Sequence, residues 1–173
     1  MLNGEIMYLR AMEPQDVDLL YSWENDPQVW VAGTNTQPLS KADIQAFVEH
    51  TDLDIYQTKQ LRLMIVNKTT DEAVGCIDLF DFDPFNMRGG IGVLVCEQYR
   101  GKGYAKEAIK IFSQYLFSTY ALHTIGAMMS ADNEVSQGLF EACGFQYCGI
   151  RRGWLRRGNK FLDEVIYQKI NKE

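Results

Sequence analysis

The apolar run Ile91 to Cys96 passes through Gln98-Tyr99-Arg100-Gly101-Lys102-Gly103 into a helix-forming run from Tyr104 to Tyr120. A strand that turns over two glycines into a helix brings several unpaired backbone N–H groups to one point, together with the positive end of the helix dipole. Glycine at both turn positions removes the Cβ that would hold a ligand away from the backbone. Such a point binds phosphate, and it commits the chain to layered α/β structure with an anionic ligand at a strand end.

The patterning on either side agrees. Glu5 to Ala11 alternates as a first strand, and Pro14 is placed to open a helix that stops at Asn25-Asp26-Pro27. After a loop over 33–39, Ser40 with Asp43 predicts an N-cap for a second helix that carries Ile44, Phe47 and Val48 inward. Strands are expected over Leu61 to Val66, Val74 to Phe80 and Gly90 to Val95, with turns at 67–71 and 83–86. Beyond the glycine loop, Ala105, Ala108, Ile109, Phe112 and Leu116 share one helical face, and Lys102, Lys106 and Lys110 another. Thr124 to Met129 reads as a strand, and Asp132-Asn133 caps a helix over Val135 to Cys143 that Gly144 closes. Two final strands, Phe145 to Ile150 and Phe161 to Ile170, are expected on either side of an arginine-rich connection. The order βααβββαβαββ, with no repeat and no linker, predicts a single α/β domain over residues 1–173.

Composition removes several classes of function. The 46% hydrophobic content builds a core without staples, so Cys76, Cys96, Cys143 and Cys148 are expected as free thiols in a reducing compartment. With only His50 and His123 and no C-x-x-C pair, no metal cofactor is expected. No basic, apolar leader and no membrane-length apolar run is present, which predicts a soluble cytoplasmic protein. The net charge of −6 divides unevenly: residues 1–90 carry 15 acidic and 6 basic side chains, residues 91–173 carry 8 and 11. An acidic half beside a mildly basic half fits a cationic ligand meeting an anionic one and argues against nucleic acid as a partner.

Three cofactor classes use a glycine-rich strand-to-helix turn. A Walker A loop needs G-x-x-x-x-G-K followed by Ser or Thr, which the chain lacks. A dinucleotide fingerprint needs a third small residue where Lys106 stands, and it belongs in a first βα turn. The third class fits. Gln98-x-x-Gly101-x-Gly103 resembles the acyl-coenzyme A pyrophosphate loop of the GNAT superfamily of N-acetyltransferases, and Asn133-x-x-Ser136-x-x-x-Phe140-x-x-x-Gly144-Phe145 resembles the family's Asn-led helix and Gly-Phe strand entry. The two stand in that order, 30 residues apart from Gly103 to Asn133, with one helix and one strand between them. Tyr8-Leu9-Arg10, Asn25-Asp26-Pro27-x-Val29, and Gly158-Asn159-x-Phe161-x-Asp163 with Tyr167 resemble the branch holding ribosomal-protein alanine N-acetyltransferases and spermidine N-acetyltransferase. The likeness spans essentially the whole chain and is weakest over 31–60.

The resemblance implies a twisted mixed sheet, flanked by helices and splayed between its fourth and fifth strands around acetyl-coenzyme A. It further implies that backbone groups of Val93, Leu94 and Val95 hold the pantetheine arm and thioester. The pyrophosphate falls to Arg100, Gly101, Lys102, Gly103, Tyr104 and Ala105, with Lys102 or Lys106 near the adenosine phosphates and Asn133 opening the next helix. Acetyl transfer needs a neutral amine, donors at the developing oxyanion and relief of the leaving thiolate. Where many relatives place a proton-donating tyrosine, this chain has Phe140; Ser136, one turn earlier, is the alternative thiolate partner or else only a helix-end serine. Candidates for the base are Asp78 and Asp81 on the third strand and Glu24, with Asp26, at the end of the first helix. Strand parity puts the first two on opposite faces. His123 is read as structural and Cys143 as a core thiol. Arg151, Arg152, Arg156 and Arg157 are assigned to strand ends, a partner subunit or the substrate, and self-association is left open. The acceptor is either a protein α-amine or a small cationic amine such as spermidine. A third reading is a coenzyme A-binding protein without turnover.

Overall fold

The computed structural model describes residues 1–27, 37–49 and 54–172; Val29, residues 33–36 of the expected loop and His50 lie outside the described residues. The strands are β1 (Leu2–Asn3), β2 (Met7–Ala11), β3 (Leu61–Asn67), β4 (Ala73–Asp83), β5 (Arg88–Val95), β6 (Thr124–Ser130), β7 (Gln146–Arg157) and β8 (Lys160–Ile170). The helices are α1 (Val17–Glu24), α2 (Lys41–Glu49), α3 (Ile55–Thr58), α4 (Tyr104–Thr119) and α5 (Glu134–Ala142). One sheet runs β1-β2-β3-β4-β5-β6-β8-β7, and every neighbouring pair is antiparallel except β5 and β6.

That parallel pair is short. Arg88, Gly89 and Gly90 face Thr124, Ile125 and Gly126, and beyond Gly90 the two strands part. The two-residue β1 shifts the count by one, so this is the splay expected between the fourth and fifth strands.

Each face of the sheet has its own core. On one, α4 buries Ala108, Ile109, Phe112 and Leu116 completely against Ile65, Ile77, Leu79 and Ile91 and, across the splay, Ile125 and Ala127. Full burial of each large side chain contributes about 1.5–3 kcal/mol, so this helix is the main brace between the two halves of the sheet. On the other face, α1 and α2 lay Val17, Leu20, Trp23, Ile44 and Val48 over Met64, Val66 and Cys76. Alternation along β3 and β4 makes this division.

Local signals set the helix ends. Pro14 opens a short 3₁₀ turn, Pro14–Asp16, that runs into α1. Asp16 is buried there and accepts Arg10 Nη1 and Nη2 at 2.6 and 2.8 Å, which pins the turn to β2. At α2 the Ser40 hydroxyl accepts the Asp43 N–H and the Asp43 carboxylate accepts the Ser40 N–H, both at 3.1 Å, a reciprocal capping box.

The structure corrects the sequence expectations at four places. The expected first strand begins at Met7 rather than Glu5, because the N–H groups of Glu5 and Ile6 turn away to the Glu107 carboxylate. Helix α3, capped by Asp54 through the Tyr56 N–H at 3.0 Å, was not anticipated. β4 continues to Asp83, with a register break between Phe80 and Asp83 and Asp81 at a φ of 51°. That bulge voids the parity argument for Asp78 and Asp81. The arginine-rich connection is strand: β7 extends to Arg157, since Arg151 pairs with Glu164 of β8 and Arg157 with Asp132, and the hairpin turns at Gly158, φ 61°.

Candidate active site

The backbone of β5 generates the slot. Cys96 donates its N–H to Val74 O on β4 at 2.9 Å, so the alternating residues Val95 and Val93 turn their main-chain groups to the other edge. Past Gly90 that edge has no strand partner among the described residues. Val95 O accepts Arg100 Nε at 3.0 Å, which folds the chain back at the slot's end. An extended ligand arm laid along this edge meets the Val93 N–H and C=O as a neighbouring strand would. Leu94 instead points its side chain to the α1–α2 face.

The slot ends at the glycine loop. A 3₁₀ turn, Glu97–Tyr99, leads through Arg100 to Gly101 at φ 75° and Gly103 at φ 92°, where α4 starts. Both angles belong to the left-handed region that favours glycine. A Cβ on Gly101 would meet nothing within 4 Å, so the space above it stays open for a ligand. Gly103 is the N-cap and supplies no side-chain cap, which leaves the leading N–H groups of α4 available. Tyr104 is buried in the core, Ala105 is half-buried, and Lys102 stands exposed with its Nζ 5.3 Å from the Tyr99 ring centre. A groove of about 610 Å³ runs beside this helix end between Asn3–Ile6 and Lys106, Glu107 and Lys110.

Across the splay stands α5. Asn133 is its N-cap and accepts the Ser136 N–H at 3.1 Å, so the capping role belongs to Asn133 and the Ser136 hydroxyl takes no part in it. Phe140, one turn on, is buried edge-to-face against Phe145, ring centres 5.1 Å apart. Cys143 is a core thiol whose Sγ–H donates to Lys106 O at 3.6 Å, and burial pushes its pKa up. His123 joins strand ends through its backbone alone, donating to Met87 O at 2.6 Å and accepting the Asn171 N–H at 2.8 Å.

Of the four candidate bases, the α1–α2 face brings Glu24 and Asp78 together, while Asp26 lines a neighbouring cleft and Asp81 lies apart. Asp78 lies opposite Arg62 on β3 and Gly92 on β5. Arg62 Nε donates to Asp78 Oδ1 at 2.5 Å and Nη2 to Oδ2 at 3.2 Å, while Nη1 donates to Glu24 at the end of α1. The Phe47 ring closes over the guanidinium at 5.4 Å. Burial pushes the Asp78 carboxyl upward, against the pull of Arg62. Asp81 is exposed in the bulge, outside this group. Sequence reading passed over Arg62, since nothing local marks it. The Phe80 ring covers Gly90 and Gly92, where any Cβ on Gly90 would strike it. Beyond Trp23, which neighbours Glu24 in the chain, Asp26, Leu94, Cys96, Glu97, Gln98 and Arg100 complete the lining of a cleft of about 500 Å³. Asp78, through its pairing with Gly92, thus stands one strand away from the free edge of β5.

A fold splayed at one parallel pair, with a free β5 edge running into an uncapped helix, defines a class of acyl-coenzyme A-dependent transferases. The model of the acetyltransferase (GNAT) domain matches residues 7–146, and the chain belongs to this family. It is with that family an acetyl-coenzyme A-dependent N-acetyltransferase. The uncharacterized N-acetyltransferase p20 of Bacillus licheniformis is 26% identical over 172 residues, covering 99% of this chain and 97% of that protein. Spermidine N(1)-acetyltransferase of Escherichia coli K12 is 24% identical over 86% of this chain and 77% of its own length. The structure of Vibrio cholerae spermidine N-acetyltransferase with coenzyme A and spermine superposes at a TM-score of 0.87, 17% identical over 96% of each chain. Ribosomal-protein-S5-alanine acetyltransferase from Vibrio fischeri superposes at 0.86, 18% identical, over 99% of this chain and 96% of that one. At those identities the two structures speak to the fold. No helix among the described residues is long and apolar enough to cross a membrane.

Proposed function

We propose that residues 1–173 act as one catalytic unit in the cytoplasm that moves the acetyl group of acetyl-coenzyme A to a primary amine by direct attack on the thioester. The free edge of β5 leading into the glycine loop is the observation that carries this reading. The amine nitrogen bonds to the thioester carbon, the C–S bond breaks, and the ammonium proton leaves to solvent or a base. Val93 and Val95 align the pantetheine arm, with Leu94 between them on the acceptor side. Arg100 to Ala105 take the pyrophosphate on backbone N–H groups, with Lys102 and Lys106 beside the adenosine phosphates. Asn133 fixes the start of α5 so that the uncommitted Ser136 hydroxyl stabilises the departing thiolate. The open cleft at Trp23, Asp26 and Leu94 admits the amine. The test is thiol release from acetyl-coenzyme A with a panel of spermidine, aminoglycosides and N-terminal peptides, beside calorimetry of coenzyme A binding. Release with at least one amine is expected, and absence of both binding and release rejects the reading.

Two alternatives have specific support. Similarity to spermidine N(1)-acetyltransferase favours a polyamine acceptor. The buried phenyl of Phe140, which has no proton to give, favours a coenzyme A-binding protein without turnover. The acceptor panel separates all three.

A further inference from the structure

We propose that a bulge in β7 reads the acceptor: Arg151, stacked on Trp154 beside Arg152, receives a carboxylate side chain carried three to five residues along an N-terminal protein segment whose α-amine enters the slot. This deepens the N-acetyltransferase reading above and rests on it.

Strand register connects this place to the slot. Leu94 on β5 and Ser130 on β6 each stand four residues past the last pair of the splay, Gly90 and Gly126, and alternation turns both to the α1–α2 face. Ser130 is paired with Glu164 of β8, and Glu164 with Arg151 of β7. The three form one row across that face, leading away from the slot. The apolar core on this face takes no described residue from β6, β7 or β8. Alternation puts Met128, Ile166 and Leu162 on the same strip, all half-buried. From the β6 edge to β7 is two strand spacings, about 10 Å, or about three residues of extended chain.

The bulge is pinned from both strands. Between Arg151 and Leu155 β7 advances four residues, while β8 advances only two, from Glu164 to Leu162. Gly153 takes up the excess at a φ of 58°, and its N–H donates to Asp163 Oδ1 at 2.7 Å. Bulges commonly re-aim side chains next to active sites. Here the side chain is Trp154, 60% exposed, with the Arg151 guanidinium 5.0 Å from its ring centre. Arg151 Nη1 also lies 3.0 Å from Glu164 Oε2, yet no hydrogen bond of good geometry reaches that buried oxygen. The Arg62 fork is closed by two carboxylates, whereas Arg151 is 42% exposed and has no other acidic partner among the described residues. A guanidinium held on an indole with its fork open suits a carboxylate. Arg152 beside it makes no hydrogen bond or ion pair among the described residues.

Charge selects the occupant. Residues 146–170 hold six basic side chains and two acidic ones, a net of +4, so this part of the sheet repels a polycation and attracts an acid. On the slot side, Asp26 and Glu97 line the cleft with Arg100. An N-terminal segment with an acid near its start matches both places, its ammonium toward the cleft and its carboxylate on the bulge. A polyamine offers the arginines no anion.

The test uses alanine pentapeptide amides carrying one Glu or one Lys at position 4, with thiol release from acetyl-coenzyme A as the readout. The wild-type protein is expected to favour the Glu peptide about tenfold in kcat/KM, chiefly through KM, the size of opposite against like charge at a half-exposed site. Added salt is expected to shrink that ratio. Arg152→Glu is expected to bring it to about one, and Trp154→Ala to lower it severalfold by releasing Arg151. A ratio between two peptides is insensitive to a partial loss of folded protein. Equal kcat/KM for the two peptides, a preference for Lys, or a ratio unmoved in both variants overturns the inference. So does release with spermidine but with neither peptide. In each of these cases the acetyltransferase reading stands; absence of coenzyme A binding and of release with every amine rejects that reading itself.

Discussion

The Glu107 carboxylate accepts the backbone N–H of Ile6 at 3.2 Å, and with it the N–H of Glu5, across a separation of about 100 residues. Glu107 sits in the first turn of α4, so the β1–β2 turn is clamped onto the helix whose N-terminus faces the slot. A Cβ on Gly4 would collide with that carboxylate. Glu107→Ala is therefore expected to lower stability by about 1–2 kcal/mol, the worth of hydrogen bonds to a charged acceptor near solvent. For a chain of this size that is a Tm fall of a few degrees. Coenzyme A affinity should fall severalfold as well if, as proposed, the N–H groups of that first turn hold the pyrophosphate. Calorimetry and a thermal melt check both, and an unchanged Tm would remove the clamp from the account.

Gly101 and its ligand can be separated from Gly101 and its backbone. Alanine at φ 75° costs about 1–2 kcal/mol of strain, yet its Cβ touches nothing in the protein. Gly101→Ala should therefore melt only a few degrees lower while losing coenzyme A affinity at least tenfold, since the added methyl occupies ligand space. Equal losses in both measurements would mean that strain alone is at work.

The strand–glycine loop–helix arrangement and the Asn133 cap were legible in the sequence because their signals are local. The end of β5, two glycines and the start of α4 lie within the 10 residues from Val95 to Tyr104, and the Asn133 cap acts on a residue three positions on. What escaped is held by distant contacts. Arg62 meets Glu24 across 38 positions and Asp78 across 16, and no pattern in β3 marks one arginine as the partner of two acids. The bulge at Asp81 removed the ground for a parity argument that holds only for regular strands. The length of β7 was missed because four arginines read as loop until Glu164 and Asp132 were found opposite two of them.

Asp78 gives the cluster a pH signature. Its carboxyl is pushed above the ordinary value of 3.8 chiefly by burial, with Arg62 opposing. An acid whose folded pKa is raised binds its proton more tightly in the folded chain. Its contribution to stability is full below 3.8 and is lost as pH rises through the raised value. The Tm difference between wild type and Asp78→Asn should thus move in the variant's favour as pH climbs from about 3.8, whatever its offset at low pH. Melts of both proteins across pH 3 to 8 decide it, and a constant difference would show Asp78 titrating as an ordinary aspartate.

Asn133 and Ser136 separate cap from chemistry. Asn133→Ala removes the acceptor of the Ser136 N–H and should cost about 1 kcal/mol of stability. Ser136→Ala leaves that backbone bond in place, so its Tm should hold while kcat falls about tenfold with little change in acceptor KM. An unchanged kcat would leave the Ser136 hydroxyl with no role at the thiolate.

Phe140 is the sharpest test of how the thiolate leaves. The ring is 5% exposed and packs edge-to-face on Phe145, so its position is fixed by the core rather than by substrate. Adding a para hydroxyl keeps the ring in place, and the cost depends on where the hydroxyl points: into the slot it stays solvated or meets the sulfur, into the core it loses about 1–3 kcal/mol unpaired. Phe140→Tyr is expected to keep its Tm within a few degrees and to raise kcat where thiolate departure limits turnover. The ceiling is about 10²- to 10⁴-fold for full general-acid assistance, and the gain should be far smaller, because a thiol with a pKa of about 8.5 leaves readily as the thiolate. A preserved Tm with slower turnover would instead assign Phe140 to an apolar wall against which the acetyl group packs. A large Tm loss would place the hydroxyl in the core and show that residue 140 does not reach the slot.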